Sequence, residues 1–394
     1  MNSNLTDEAY ARAALTYLAE PTDRWLGPLI RVCGATAALD AIRTHGVPPD
    51  AGIPRGKGRE AIKAAMERWR TRLPELPAPE EVTAFRQSGI RLVCPGDPEW
   101  PGQLADLGDD QPYALWLRGN ADLRFSCLRS VAIVGSRAAT AYGSYVAAEF
   151  AASVAARGLA VVSGGAFGVD AAAHRGALGA DGVTVAVLAC GVDMAYPAAH
   201  AELFDAIAAQ GVLVSEWPPG RSVSRLRFLV RNRVIAALAA GTLVVEAGQR
   251  SGAVNTARHA RDLSRVLMAV PGPVTSDLSA GCHQILREWQ GTLVTSATDV
   301  IEQLSPIGGL PAAEPGTVVQ SASGRPVPPV FPRDLLDLES ARVLDAMPRR
   351  GGMGTVRVAQ RAGLAPATTA TLLGKLATGG FVERCDDGWR LRRG

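Results

Sequence analysis

The middle of the chain alternates short apolar runs with longer stretches whose apolar residues recur every three or four positions. The first run, 131–134, is rich in β-branched residues and ends at Gly135. After it, Val146, Phe150 and Val154 recur at helical spacing, and a glycine then precedes a second apolar run. This order of strand, glycine turn, helix and strand predicts a βαβ unit.

The same alternation continues along the chain and predicts further strands. They lie at 184–188, 212–214, 242–245, 266–270 and 292–294. Continuous apolar strands with helices between most of them are typical of a doubly wound, mostly parallel α/β sheet that helices cover on both faces. Ligands of such sheets bind outside the carboxyl ends of the strands. We therefore expect the functional site at that edge.

Toward the N-terminus the pattern becomes helical. Residues 1–72 predict a small helical domain, which we interpret as a packing module in preference to a DNA-binding helix-hairpin-helix, because the glycine hairpin is missing. Residues 80–302 form the predicted central domain. Two short strands within it, 89–93 and 114–119, are predicted to extend the edge of the main sheet.

The C-terminal part begins after a predicted linker, 303–333, which holds seven prolines. Residues 334–394 predict three helices and a β-hairpin, which is the pattern of a winged-helix domain. The third helix carries three threonines and one basic residue, namely Thr368, Thr369, Thr371 and Lys375. So little charge favours contact with a protein, or weak contact with a DNA backbone, over sequence-specific readout.

Charge and cysteine content narrow the classes of function. The net charge is only +3, so any surface that binds an anionic partner must be local. The six cysteines include no C-x-x-C pair, which predicts reduced thiols and no zinc site. We find no targeting signal and no membrane-spanning run, and we expect a cytoplasmic protein with no membrane partner.

The glycine motifs argue against two common nucleotide ligands. The fingerprint G-x-G-x-x-G is absent after the first strand, and Ser163 stands where NAD binding needs an acidic residue. No G-x-x-x-x-G-K-[ST] motif is present, which argues against a P-loop NTPase. The histidines form no metal spacing with cysteine or carboxylate residues. We expect neither a cofactor nor a metal.

Three turns at the predicted ligand edge suit a phosphate group. Glycine lets backbone N–H groups approach an anion closely, and the start of a helix adds partial positive charge. The candidate residues in these turns are Gly135, Ser136, Arg137, Ser163, Gly164, Gly165, Phe167, Ser251 and Gly252.

The segment 221–233 carries five arginines, and no acidic residue occurs between Glu216 and Glu246. Basic side chains that follow a backbone, with an aromatic ring for a base, meet the physical needs of single-strand binding. The candidates in this segment are Arg225, Phe228, Arg231, Asn232 and Arg233.

Catalytic groups are few in the sequence. Asp170 and His174 stand at i and i+4, and they could act as acid and base or could cap and orient the loop 165–168. Glu246 ends a predicted strand, and it could be a base or could accept hydrogen bonds from the arginine segment. We assign no catalytic residue.

Taken together, these motifs make the sequence resemble the DprA/Smf family of DNA-processing proteins over roughly 89–300. Ordered motifs carry the resemblance, among them Gly135-Ser136-Arg137, Ser163-Gly164-Gly165-Ala166, Gly168-Val169-Asp170 with His174, Tyr196-Pro197, Ser215-Glu216, Phe228 with Arg231-Asn232-Arg233, Glu246-Ala247, Ser251-Gly252, Pro271-Gly272 and Gly281. The sequence departs from the family pattern at four positions, Leu229, Ala237, Asn255 and His283.

The resemblance implies an extended Rossmann-like sheet flanked by a SAM-like helical domain and a winged helix. It also implies a non-enzymatic protein of natural transformation that binds and protects incoming single-stranded DNA. Such a protein helps to load the RecA recombinase and works as a homodimer through the Rossmann-like domain. Carried over, Arg137, Arg225 and Phe228 become strand contacts. The same pocket would be lined by Ser163, Gly164, Gly165 and Asn232.

Two alternatives belong to other classes. A Rossmann-like nucleoside-monophosphate phosphoribohydrolase also uses glycine loops, arginine and a glutamate at a strand end, but its P-G-G-x-G-T signature is not seen. A transcription regulator would read DNA with the winged helix, whose third helix has little charge.

Overall fold

The computed structural model describes residues 5–44, 46, 57–305, 338–348, 352–378, 381–385 and 387–392. The chain divides into two compact units, 1–310 and 311–394. The predicted linker lies outside the described residues except for its first three positions, of which 303 and 304 end a helix.

Within the described residues, nine strands of the first unit form one sheet. They are β1 (Ile90–Val93), β2 (Leu115–Gly119), β3 (Ser130–Val134), β4 (Ala160–Ser163), β5 (Thr184–Val187), β6 (Val212–Ser215), β7 (Gly241–Val244), β8 (Val266–Ala269) and β9 (Thr292–Leu293). Their order across the sheet is β1-β2-β6-β5-β4-β3-β7-β8-β9. Strands β3 to β9 pair in parallel, and β1 and β2 extend one edge in antiparallel fashion. The predicted α/β fold class and the edge position of β1 and β2 are confirmed.

The chain crosses the sheet in two directions. From β3 it proceeds through β4, β5 and β6 to one side, and from β7 through β8 and β9 to the other. Strands β3 and β7 are neighbours, so their carboxyl ends flank the crevice where the direction changes. This switch point is where doubly wound sheets bind ligands.

Helices cover both faces of the sheet and also make up the N-terminal region of this unit. They are α1 (Asp7–Leu18), α2 (Leu26–Cys33), α3 (Ala35–Thr44), α4 (Lys57–Arg70), α5 (Pro79–Ala84), α6 (Leu123–Leu128), α7 (Ala141–Ala155), α8 (Val169–Gly179), α9 (Ala201–Gln210), α10 (Arg225–Leu238), α11 (Gly252–Asp262), α12 (Ala280–Glu288) and α13 (Ala297–Leu304). One face of the sheet packs against α10, α11 and α12, and the other against α7, α8 and α13. Burial on both faces explains the continuous apolar strands.

The N-terminal helices share a core of their own and also contact the sheet. Leu15, Leu26 and Ile42 are buried in that core. On the sheet side, the Trp116 indole donates a hydrogen bond to the Thr16 hydroxyl at 3.3 Å. Helix α1 therefore packs onto the sheet as well as onto the other N-terminal helices.

The second unit has the winged-helix arrangement. Its elements are α14 (Leu338–Asp345), α15 (Thr355–Ala362), α16 (Pro366–Thr378), β10 (Val382–Cys385) and β11 (Gly388–Leu391). Val343, Val358 and Leu373 are fully buried between the helices, and β10 pairs antiparallel with β11. Thr369, one of the three threonines that the third helix was expected to offer, is also fully buried and donates to the Ala365 carbonyl.

In the described part of the chain, we find no helix with the length and apolar character to cross a membrane.

Candidate nucleic-acid interface

A cavity of about 500 Å³ opens at the switch point of the sheet. Its wall is formed by the turn after β3, the first half of α10 and the start of α11. The floor includes Asp170, at the start of α8. The predicted ligand edge therefore carries a concave site of the size that binds one small ligand.

Four arginines line the cavity, and among the described residues none of their side chains has a hydrogen bond or an ion pair. They are Arg137, Arg225, Arg231 and Arg250. The other arginines of the predicted basic segment all pair with carboxylates. Arg221 pairs with Glu75, Arg227 with Glu20 and Arg233 with Glu216. The two arginines of this segment that have no hydrogen bond or ion pair among the described residues, Arg225 and Arg231, therefore both lie in the cavity wall.

Arg231 lies deepest among the four. Its residue is 4% exposed, and its Nε is buried without a hydrogen-bond partner. Burial lowers the pKa of Arg231 to about 10, although the nearby Asp170 carboxylate opposes that shift, so the guanidinium stays charged at neutral pH. Burying a cation without hydrogen bonds costs free energy unless an anion binds to it.

The glycine at position 164 makes room for this guanidinium. A Cβ at Gly164 would lie 1.6 Å from Nη1 of Arg231, which no side chain can tolerate. Gly164 does not itself line the cavity. Its part in the site is to let Arg231 reach the floor.

Asp170 holds the turn after β4. Its Oδ2 accepts hydrogen bonds from the backbone N–H of Gly164 at 3.2 Å and of Ala166 at 3.4 Å. Burial raises the pKa of this carboxyl, and the Arg231 charge acts in the opposite direction. The prediction that Asp170 orients this loop is confirmed, whereas the N-cap position of α8 is taken by Gly168 without a side-chain hydrogen bond.

His174 does not share that role. Its Nδ1 lies 2.7 Å from the Thr184 hydroxyl, which itself donates to the Val161 carbonyl. Nδ1 therefore carries the proton, and Nε2 is buried without a partner. The loop is held instead by His200, whose Nδ1 lies 3.0 Å from the Gly165 carbonyl.

Phe228 stands at the rim of the cavity, half-buried on the first turn of α10. The Arg137 guanidinium lies over its ring, 4.7 Å from the centroid. The Tyr196 ring, 46% exposed, lies 5.7 Å from it at an angle of 49°. Arg137, Phe228 and Tyr196 thus form one cluster of a guanidinium and two aromatic rings at the rim.

Helix α11 points its N-terminus at the cavity. The Ser251 hydroxyl caps the helix by accepting from the Val254 N–H. The N–H groups of Gly252 and Ala253, both in the cavity wall, have no acceptor among the described residues. Asn232 fixes this wall by donating to the Gly252 carbonyl at 3.2 Å and to Asn255 at 3.1 Å. The helix dipole therefore adds to the positive potential.

Four other predicted site residues lie outside the cavity wall. Ser163 is buried and donates to the Ile133 carbonyl at 2.7 Å. Gly165 supports the turn at a φ of +67°, where a Cβ would meet Phe204. Phe167 is 47% exposed and packs edge-on against the His200 ring. These three residues shape the neighbourhood and do not line the site.

Arg233 is the fourth, and its predicted role in binding gives way to a structural one. Its guanidinium makes two hydrogen bonds of 2.6 Å to the Glu216 carboxylate, and both side chains are buried. Arg233 follows Arg231 by two positions in α10, and two positions turn a side chain to a different face of a helix. Their positions in α10 therefore place the two guanidinium groups on different faces of the helix.

Glu246 is neither exposed to the cavity nor bonded to the arginine segment. Its carboxylate accepts from the Thr140 N–H at 2.9 Å and the Thr140 hydroxyl at 2.6 Å, at the N-terminus of α7. Both roles weighed for it from the sequence are therefore wrong. It fixes the helix that follows β3.

Arg250 and Leu229 line the wall but are not among the site residues predicted from the sequence. Arg250 follows β7 much as Arg137 follows β3, and that shared position after a strand was the available signal. Leu229, one of the departures from the family pattern, also lines the cavity and is 46% exposed. Together they make the rim both more basic and more apolar than predicted.

These features define an α/β protein that has an arginine-lined cavity at the switch point of its sheet and a winged-helix unit. A family model described as DNA recombination-mediator protein A matches residues 91–305, and one described as IclR helix-turn-helix domain matches 340–386. Over 395 residues the chain is 42% identical to a putative DNA processing protein DprA of Mycobacterium tuberculosis, which covers 98% of this chain and 95% of that protein. The chain belongs to the DprA family of DNA-processing proteins.

Further relatives agree with this assignment. Protein Smf of Escherichia coli is 35% identical over 306 residues, which are 76% of this chain and 78% of that protein. The structure of DprA from Streptococcus pneumoniae matches with a TM-score of 0.61 and 30% identity, covering 75% of this chain and 97% of that one. A structure of DNA processing protein A from Helicobacter pylori, which describes its single-stranded DNA binding mode, matches with a TM-score of 0.50 and 27% identity over 55% of this chain and 95% of that one. The family comprises DNA-processing proteins and not catalytic enzymes.

Proposed function

We propose that this protein binds single-stranded DNA in the cavity between β3, α10 and α11. The observation that carries the proposal is the set of four arginines that have no hydrogen bond or ion pair among the described residues, beside the half-buried ring of Phe228. Arg137 and Arg225 hold phosphates of the strand, and Phe228 stacks a base. Guanidinium groups bind phosphate through paired hydrogen bonds, and stacking on an aromatic ring tolerates any base sequence.

The shape of the site favours a single strand over a duplex. A cavity of about 500 Å³ admits a nucleotide whose base has left the stack, whereas the bases of a duplex are stacked on each other. Supporting evidence comes from the Helicobacter pylori relative, whose structure describes single-stranded DNA binding.

To test this function, the affinity of the protein for one oligonucleotide is measured as a single strand and as a duplex at the same salt concentration. We expect much tighter binding of the single strand and little dependence on its sequence. A scrambled strand of the same composition is the control for sequence preference. Equal affinity for strand and duplex would contradict the proposal.

We further propose that the bound strand is protected and passed to RecA, and that the protein works as a homodimer through its Rossmann-like unit. The description of the family as recombination mediators supports this role. The rate of RecA assembly on single-stranded DNA, with and without the protein, is the relevant measurement, and sedimentation gives the oligomeric state. Unchanged RecA assembly would exclude the mediator role, and a monomer at all concentrations would exclude the dimer.

A further inference from the structure

The depth of Arg231 points beyond general strand binding. Within the described residues its guanidinium has no hydrogen bond, and it sits on the cavity floor behind the rim arginines Arg137 and Arg225. A phosphodiester in the middle of a strand carries a sugar on both sides, and both sugars must leave the cavity past its walls. A terminal phosphate carries a sugar on one side only, so it can reach further in.

The charge of the wall also exceeds what one phosphodiester needs. Four guanidinium groups face a single carboxylate, Asp170, whose Oδ2 is already engaged by two backbone N–H groups. A phosphomonoester carries a charge of about −1.5 to −2 at pH 7, whereas a phosphodiester carries a single negative charge. The excess of positive charge matches the monoester better.

The hydrogen-bond donors on the floor and wall of the cavity can bind the oxygens of a phosphomonoester. Among the described residues, the Arg231 guanidinium of α10 has no hydrogen bond, and the N–H groups of Gly252 and Ala253 at the start of α11 have no acceptor. A phosphomonoester has three terminal oxygens to accept from them, and a phosphodiester has two. Helix N-termini and arginine forks are the protein groups that bind phosphate most strongly.

We propose that the cavity binds the terminal phosphomonoester of a DNA strand, with Arg231 and the α11 N-terminus on the phosphate and Phe228 at the rim for the adjoining base. This inference rests on the proposed single-strand function and specifies its ligand. The protein would then hold phosphorylated ends of single strands more tightly than internal positions.

The test compares short oligothymidylates that differ only at one end, with the full-length wild-type protein at constant salt. The strands end in hydroxyl groups, in a 5′ phosphate, in a 3′ phosphate, or in a 5′ phosphate blocked as its methyl ester. The methyl ester keeps the phosphorus and one charge but removes the second ionisation. We expect one of the two free monoesters to bind about tenfold more tightly than the hydroxyl-ended and methyl-ester strands.

Two variants test whether Arg231, on the floor of the cavity, causes the tighter binding of the phosphorylated strand. Arg231→Lys keeps the positive charge but loses the planar fork, and it should remove most of the advantage of the phosphorylated strand. Arg225→Lys, at the exposed rim, is the matched control and should weaken all strands alike while the advantage remains. The comparison among ligands uses wild-type protein, so it stands even if Arg231→Lys does not fold.

The binding results distinguish a failure of the terminal-phosphate proposal from a failure of the single-strand function. If all four strands bind equally well, the inference about the terminal phosphate is overturned and the single-strand function stands. If no strand binds, the proposed function itself fails. Thymidine 5′-monophosphate that competes as strongly as the phosphorylated strand would also overturn the inference, because the strand would then add nothing to the contact.

Discussion

At the scale of single residues, pairing decides which arginines are available for a ligand. The guanidinium of Arg233 is bonded to the Glu216 carboxylate inside the protein, whereas that of Arg231, two positions earlier, has no hydrogen bond among the described residues. Removing a cation from water without a partner costs free energy, which a bound phosphate can recover. A buried arginine without a hydrogen bond is therefore better evidence for an anion site than the number of arginines in a segment.

Phe228 can be tested at the same scale. We expect Phe228→Ala to weaken single-strand binding by about 1–3 kcal/mol without changing the salt dependence, because stacking releases no counterion. Phe228→Trp, which keeps a ring, should bind nearly as well as the wild type. Affinity and melting temperature are measured together for each variant.

A different outcome would remove the stacking role. Phe228 is half-buried, so its truncation leaves a smaller cavity than the loss of a core phenylalanine. If Phe228→Ala melts much earlier than the wild type and still binds strands normally, the ring is structural.

The residue pattern alone could identify the turns after β3 and β7 and the arginine segment, but it could not rank their members. Arg225 and Arg233 look equivalent in the sequence, and only the packing of α10 exposes one and buries the other. Glu246 looked available at a strand end, yet Thr140, 106 residues earlier, takes both of its oxygens. Long-range partners of this kind leave no local signal in a sequence.

At the scale of elements, the strands and helices of the sheet follow closely from the apolar pattern. Strands β5, β6 and β8 lie within one or two residues of their predicted bounds because buried parallel strands are continuously apolar. The order of the strands was not predictable in the same way, since it depends on which side of the sheet each crossover takes. That order creates the cavity, because it makes β3 and β7 neighbours.

The contact of His174 in α8 with Thr184 in β5 predicts that the stability of the fold depends on pH. Burial lowers the pKa of His174 from its ordinary value of 6.5 to about 3. The neutral imidazole therefore stabilises the fold above pH 6.5, and this contribution is lost as the pH falls from 6.5 toward 3, by about 1.4 kcal/mol per pH unit.

The measurement is the free energy of unfolding in urea at pH 7 and at pH 5. We expect the wild type to lose about 2 kcal/mol more than His174→Asn over this interval, because asparagine can still donate to the Thr184 hydroxyl but does not titrate. Equal losses in the two proteins would show that His174 is not held neutral by the fold.

At the scale of the whole molecule, the site belongs to the first compact unit, residues 1–310, and every residue of the cavity wall lies between 134 and 256. The second unit has an exposed Lys375 on its third helix and a buried Thr369, so it offers few groups to read DNA bases. We expect this unit to make protein contacts or weak backbone contacts.

Truncation separates the two units. A protein ending at Ser305 should remain folded and retain most of its affinity for single strands, because the cavity and its supporting core are complete without the second unit. Circular dichroism and strand binding of the truncated and full-length proteins provide the comparison. Unfolding of the shorter protein, or loss of nearly all binding, would refute this independence.

The central claim is that the cavity arginines, which have no ion pair among the described residues, hold the phosphates. The salt dependence of single-strand affinity tests this claim most directly. Arg137→Gln and Arg225→Gln remove cavity arginines, and Arg221→Gln removes an arginine of the same basic segment that is paired with Glu75. We predict that the slope of log affinity against log salt falls by about 0.7 in each of the first two variants and stays at the wild-type value in the third. An unchanged slope in the two cavity variants, or an equal fall in all three, would contradict the account.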